Sequence, residues 1–189
     1  MKELTIIDCK IFSKISQELV FELNIQCNLE KLSLVHCNLT DPTFKVLIKV
    51  LENATELKNL DLSWCERNSA DFLDFYEVLS ENRRLTHLNL SWNSLFDQKM
   101  EDGAEEGELV MSEETEIALT HLSIFIKKNT NLIHIDFSNT EMQDGMIKAI
   151  VDAISESQSL MVAHLDGNPG ISPSLIEYIT DKLEATPPL

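Results

Sequence analysis

The 189-residue chain carries 15 Lys and Arg against 32 Asp and Glu, a net charge of −17, with 43% hydrophobic residues. That field repels nucleic acid and anionic lipid heads, favours basic protein surfaces, and accompanies the composition of a folded domain. No apolar run reaches the ~20 residues of a membrane helix, the start lacks the parts of a secretory or transit signal, and four cysteines are too few for a disulfide scaffold. The expected setting is the reducing cytoplasm.

One pattern recurs along the chain. Met1, Leu4, Ile6, Cys9 and Ile11 return as Leu29, Leu32, Leu34, Cys37 and Leu39, and then as Leu57, Leu60, Leu62 and Cys65. Next come Leu85, Leu88, Leu90, Asn93 and Leu95, then Leu132, Ile135, Phe137, Thr140 and Met142. Leu160, Ala163, Leu165 and Asn168 form the sixth unit, with Ile171 one residue late. The spacing is 28 residues except from Leu85 to Leu132, which is 47 and so holds 19 extra. Leu-x-Leu alternation puts two apolar side chains on one face of a short strand. A small polar residue follows where the chain turns, and it can bond backbone groups that burial would orphan. The second half of each unit reads as an amphipathic helix. Thr40-Asp41-Pro42 opens one, with Phe44, Leu47, Ile48 and Leu51 inward. Others are expected at Phe72–Leu79, Ile117–Ile126, Met146–Ile154 and Leu175–Leu183.

The motif, its period, the long helical half and the Cys/Asn alternation are similar to ribonuclease-inhibitor-like leucine-rich repeats over nearly the whole chain. The resemblance implies an α/β right-handed solenoid, a horseshoe arc of about six repeats. Its parallel sheet would be concave and its helices convex. Residues 1–189 would be one domain. Arg67 departs from the apolar pattern in the third unit, and Asn168-Pro169-Gly170 adds a residue in the sixth.

Cys9, Cys37 and Cys65 recur at the interval of 28 and form one column, continued by Asn93, Thr140 and Asn168. The three cysteines are expected to be buried, reduced ladder residues. A disulfide or metal site is the rival, but no His or acid shares their column; Cys27 stands apart. Strand residues between the leucines form the opposite stripe, where relatives of this kind bind partners. It includes Asp61, His87, His134, Asp136 and His164; the next position carries Asp8, His36, Trp64, Trp92, Asn139 and Gly167. Trp64 and Trp92, with His36 beside them, are either interface anchors or rings folded onto the next repeat. The histidines lack the converging ligands of a metal site, and Asp136 with His164 lacks a nucleophile.

The 19 extra residues fall in 96–115, an acidic insertion holding Glu105, Glu106, Glu108, Glu113 and Glu114 among others, with Leu109-Val110-Met111 as an apolar segment. It reads as a solvated loop or as an electrostatic contact for a basic surface. Met1 already occupies the first motif position, so another chain or missing sequence is expected to cover the N-terminal edge. No phosphate loop, zinc spacing or nucleophile elbow occurs, so no enzyme activity, cofactor or metal is expected. The leading expectation is a protein-interaction module, a scaffold or accessory subunit of an intracellular complex; the resemblance also covers cytoskeletal and ciliary settings. Its alternatives are a GTPase-activating protein similar to the Ran GTPase activators, using Arg67-Asn68 or Arg83-Arg84, and an inhibitor of a basic enzyme such as a ribonuclease.

Overall fold

The computed structural model describes residues 2–11, 28–65, 69–96, 98–100 and 109–184. Each Leu-x-Leu unit forms a short strand, and the strands are β1 (Glu3–Ile7), β3 (Lys31–Val35), β5 (Asn59–Asp61), β6 (His87–Asn89), β9 (His134–Asp136) and β10 (Val162–His164). They make one parallel sheet in chain order. Equivalent repeat positions face one another: Leu4 pairs with Leu32, Leu32 with Leu60, Leu60 with Leu88, Leu88 with Ile135, and Ile135 with Ala163. The long spacer leaves this register intact, since His87 pairs with His134 as Asn59 pairs with His87.

Beside the sheet, β2 (Lys10–Ile11) pairs in parallel with β4 (Asn38–Leu39). The helices are α1 (Asp41–Asn53), α2 (Ser69–Glu81), α3 (Glu113–Lys128), α4 (Asp144–Ser155) and α5 (Pro173–Glu184). Phe44, Leu47, Ile48 and Leu51 of α1 are all buried, as the i, i+3, i+4, i+7 spacing requires. Helix α3 begins at a Ser112 cap that accepts from the Thr115 N–H at 3.2 Å. Glu113, Glu114 and Glu116 occupy its first turn, and Lys127 and Lys128 its last, which complements the helix dipole.

That helix corrects the expected loop. Glu113 and Glu114 belong to α3, and the flanks of the insertion form an antiparallel pair, β7 (Gln98–Met100) with β8 (Leu109–Met111). Alternation over so few residues in an acidic segment gave no strand signal; pairing with a returning partner supplies it. Glu105, Glu106 and Glu108 lie outside the described residues, as do Met1, Cys27, Arg67 and Asn68.

The core lies between sheet and helices. Leu32, Leu60, Leu88 and Ile135 are buried, and so are Leu34, Leu62, Leu90 and Phe137 in the row above. Burial fades in the outer strands, where Leu4, Ile6, Ala163 and Leu165 are only partly covered. Asn82 and Asn129 shape the entry to two strands. Asn82 Oδ1 accepts from the Arg84 and Leu85 N–H groups at 2.9 Å each, and buried Asn129 Oδ1 accepts from Asn131 and Leu132 at 2.8 and 3.0 Å. Neither asparagine was singled out by the repeat motif; their 47-residue separation is the signal that marks them.

Phe44, Phe72, Phe75, Tyr76 and Phe96 stack into an aromatic cluster with centroid separations of 5.3 to 5.9 Å. The Tyr76 hydroxyl is buried there without a hydrogen-bond partner among the described residues, and burial pushes its pKa well above the ordinary tyrosine value. Desolvating an unpaired hydroxyl costs about 1–3 kcal/mol. Tyr76→Phe is therefore expected to stabilise the fold by about 1 kcal/mol, read as a higher urea midpoint. A lower midpoint would show that the hydroxyl has a partner. No helix among the described residues is long and apolar enough to cross a membrane.

Candidate interaction surface

The turn after each strand is built by the Cys/Asn/Thr column, and its bonds reach back into the preceding repeat. The Cys37 thiol donates to the Ile6 carbonyl at 3.5 Å, and Cys65 to Leu34 at 3.0 Å. Asn93 Nδ2 donates to Leu62 at 2.9 Å, and Asn168 Nδ2 to Phe137 at 2.8 Å. Asn93 Oδ1 accepts from the Cys65 N–H at 3.2 Å, while Asn168 Oδ1 accepts from the Thr140 and Met142 N–H groups at 3.0 Å each. Thr140 Oγ1 donates to its own repeat's Phe137 carbonyl at 2.8 Å. Burial raises the Cys37 pKa, which keeps the thiol protonated and able to donate. Cys9 departs from the expectation: it is exposed, while Cys37 and Cys65 are buried, and all three are free thiols. The physical reason is that β1 has a described neighbour strand on one side only.

One residue earlier, the chain leaves the strand through the left-handed region in every repeat. Asp8, His36, Trp64, Trp92 and Asn139 have φ of 56°, 51°, 58°, 60° and 55°, and Gly167 has 72°. For a side chain with a Cβ this region costs roughly 1–2 kcal/mol, which Asn and Gly bear better than Trp. Hydrogen bonds set the turn up. Asp61 Oδ1 accepts from the Ser63 N–H at 3.0 Å and hydroxyl at 2.7 Å, and Asn89 Oδ1 does the same for Ser91 at 3.0 and 2.8 Å. Asp136 Oδ1 accepts from the Ser138 N–H at 2.9 Å. These side-chain turns deliver the next residue to the rim of the sheet.

On that rim the aromatic rings align. Trp64 and Trp92 stack with centroids 4.1 Å apart and planes 16° from parallel, and His36 meets Trp64 edge-on at 6.1 Å. His36 Nδ1 in turn contacts the Asp8 carboxylate. The two indoles remain 43% and 45% exposed. Stacking thus covers one face of each without hiding the pair.

The open face of the sheet carries a histidine trio. His87 and His134 stack at 5.7 Å, and His134 meets His164 at 5.0 Å. Register places His164 opposite Asp136, but its ring leans diagonally to His134. Partial burial lowers the His134 pKa, and the His164 and His87 imidazoles lower it further against the opposing pull of Asp136. The sign follows by linkage. The unfolded chain takes up this proton first, near the ordinary value of about 6.5, so stability falls as pH drops through that window and is level above it. Melting curves from about pH 5 to about pH 7.5 should show native protein losing more stability on acidification than His134→Asn. Parallel curves for the two proteins would refute the coupling. Among the described residues no group of three or more His, Cys, Asp or Glu is placed to hold a metal ion.

A groove of about 820 Å³ lies on the helix side, between α1 and α2, over Ile48, Leu51 and Val78 and edged by Lys45, Lys49, Asp74, Glu77 and Arg84. Its charges are mixed. Arg83 is committed to the end of α2, donating to the Ser80 and Asn82 carbonyls at 2.6 and 3.0 Å.

The Leucine Rich repeat family model matches residues 26–42 and 81–97. No curated protein matches. Among solved structures, the chain is similar to Leiomodin-1 Actin-Binding Site 2 (ABS2), with TM-score 0.67, 14% identity, and coverage of 91% of this chain and 89% of that one. It is also similar to a Caenorhabditis elegans tropomodulin C-terminal domain, with TM-score 0.63, 13% identity, and coverage of 90% and 92%. Both likenesses concern the fold. The two matched motifs fall on a parallel sheet in motif register that a row of helices covers, as the leucine-rich-repeat resemblance implies.

Proposed function

We propose that the chain is a non-enzymatic protein-binding module, a single domain of about six repeats over residues 1–189 that serves as a scaffold or accessory subunit inside the cell. The observation that carries this reading is the Trp64–Trp92 ledge. Two large indoles are held half-exposed, face to face, on backbone positions that suit Asn or Gly better. Strained backbone tends to persist at functional sites, and Trp is enriched at interface hot spots. The histidine trio and Asp61 and Asp136 extend the surface across the sheet.

The test compares proteins cross-linked in the native cell to the intact chain and to the Trp64→Asn/Trp92→Asn variant. A defined set captured by the first and lost by the second supports the reading. An unchanged set overturns it. One of the structures with a similar fold is an actin-binding site by name, so actin is the first partner to try. Co-sedimentation with filaments that depends on both tryptophans would identify it, and a supernatant holding all of the chain would remove it.

A further inference from the structure

The ring column is interrupted at Trp92. Its inner face lies on Trp64. One strand spacing further, about 4.8 Å, the equivalent position is Asn139, whose backbone follows that of Trp92 in the same left-handed turn. The Asn139 side-chain amide lies against Gly167, on the side away from Trp92 in the column. A Cβ added at Gly167 would coincide with the Asn139 side-chain oxygen, so only glycine lets the amide lie there. Trp92 stays 45% exposed although Trp64 covers one of its faces.

The spacing that seats Trp64 on Trp92 admits one more planar group. Charge decides which kind. Along the strand stripe and its rim the described acids are Glu3, Asp8, Asp61, Asp136 and Asp166, against the single cation Lys31. Lys2 and Lys58, at the entry edge, are both held by Glu30 at 2.5 and 3.0 Å. Asp136 and Asp166 stand on the two repeats beyond Trp92. The chain as a whole carries −17. A planar cation matches both the indole face and the field: guanidinium stacks on aromatic rings and is weakly hydrated, while ammonium is a compact, strongly hydrated charge.

We infer that the outer face of Trp92 seats an arginine side chain from a basic segment of a partner protein. This rests on the reading of the ledge as a protein-binding surface and names the chemistry that it accepts. The arginine continues the stack of Trp64 and Trp92, and the acids beyond it steer the segment across the open face of the sheet.

The probes are fluorescein-labelled nine-residue peptides of alternating glycine with arginine, lysine or glutamate, titrated by anisotropy into the full chain at about 50 mM salt. The arginine peptide is expected to bind about threefold or more tighter than the lysine peptide, and the glutamate peptide not at all. Trp92→Asn, which installs the residue that the next repeat already uses at this position, should weaken arginine binding about fivefold with an unchanged circular dichroism spectrum. Equal affinity for arginine and lysine peptides would overturn the inference, because charge alone would then explain binding. So would an arginine affinity indifferent to Trp92→Asn. If cellular partners are nevertheless lost in the double tryptophan variant, the arginine inference falls and the protein-binding ledge stands. If both assays are indifferent to the tryptophans, both readings fall together.

Discussion

Asn93→Ala is expected to lower stability by about 3 kcal/mol. Asn93 is buried, 3% exposed. Its amide donates to the Leu62, Leu90 and Ser91 carbonyls at 2.9, 3.0 and 3.2 Å and accepts from the Cys65 N–H. Alanine removes these bonds from the buried Leu62 and Leu90 carbonyls and the Cys65 N–H, while the Ser91 carbonyl keeps the Trp64 N–H at 3.0 Å. A buried polar group abandoned in this way costs about 1–3 kcal/mol, and more than one is abandoned here. The column provides its own scale. Thr140 and Cys65 occupy the equivalent site in other repeats with fewer bonds, so Asn93→Thr should lose roughly half as much as Asn93→Ala. Urea titrations of the three proteins check the order. An alanine variant as stable as the native chain would mean that the turn holds itself together without its side chain.

Trp64→Asn and Trp92→Asn together are expected to abolish partner binding while changing stability by no more than about 1 kcal/mol. Three contributions nearly cancel. Removing the indoles loses a stacked pair, about 0.5–1.5 kcal/mol beyond area. It also forfeits the apolar surface the rings do bury, and that loss is limited because each is nearly half exposed. Against this, asparagine tolerates the left-handed backbone that both positions adopt, which recovers part of roughly 1–2 kcal/mol at each. A protein that keeps its melting temperature but no longer captures its partners separates binding from folding. If the variant instead unfolds or aggregates, the rings serve as packing across the rim, and the interface role is lost.

Much of this surface was readable from residue spacing, and part of it was not. The strand stripe, the His87–His134 neighbourhood and the adjacency of Trp64 to Trp92 all follow from a repeat that returns every 28 residues, because parallel strands in register put equivalent residues side by side. The left-handed backbone beneath the tryptophans went unread. Its signal was present in the column itself, where Asp8, His36, Asn139 and Gly167 are types that tolerate positive φ. The turn-forming use of Asp61 and Asp136 was likewise hidden, since a carboxylate on a strand reads equally as a surface charge.

The sequence by itself determined the repeat, the strand register, the inward faces of the helices and the position of each turn residue. These depend on periodicities of about two and about 3.6 residues and on a fixed interval, which are local properties of the chain. Tertiary structure alone decided what depends on neighbouring repeats. It leaned His164 onto His134, left Cys9 exposed while Cys37 was buried, drew Glu113 and Glu114 into α3, and laid the Asn139 side chain against Gly167. Side-chain direction and exposure are set by what stands one strand away, and no residue type records its neighbour.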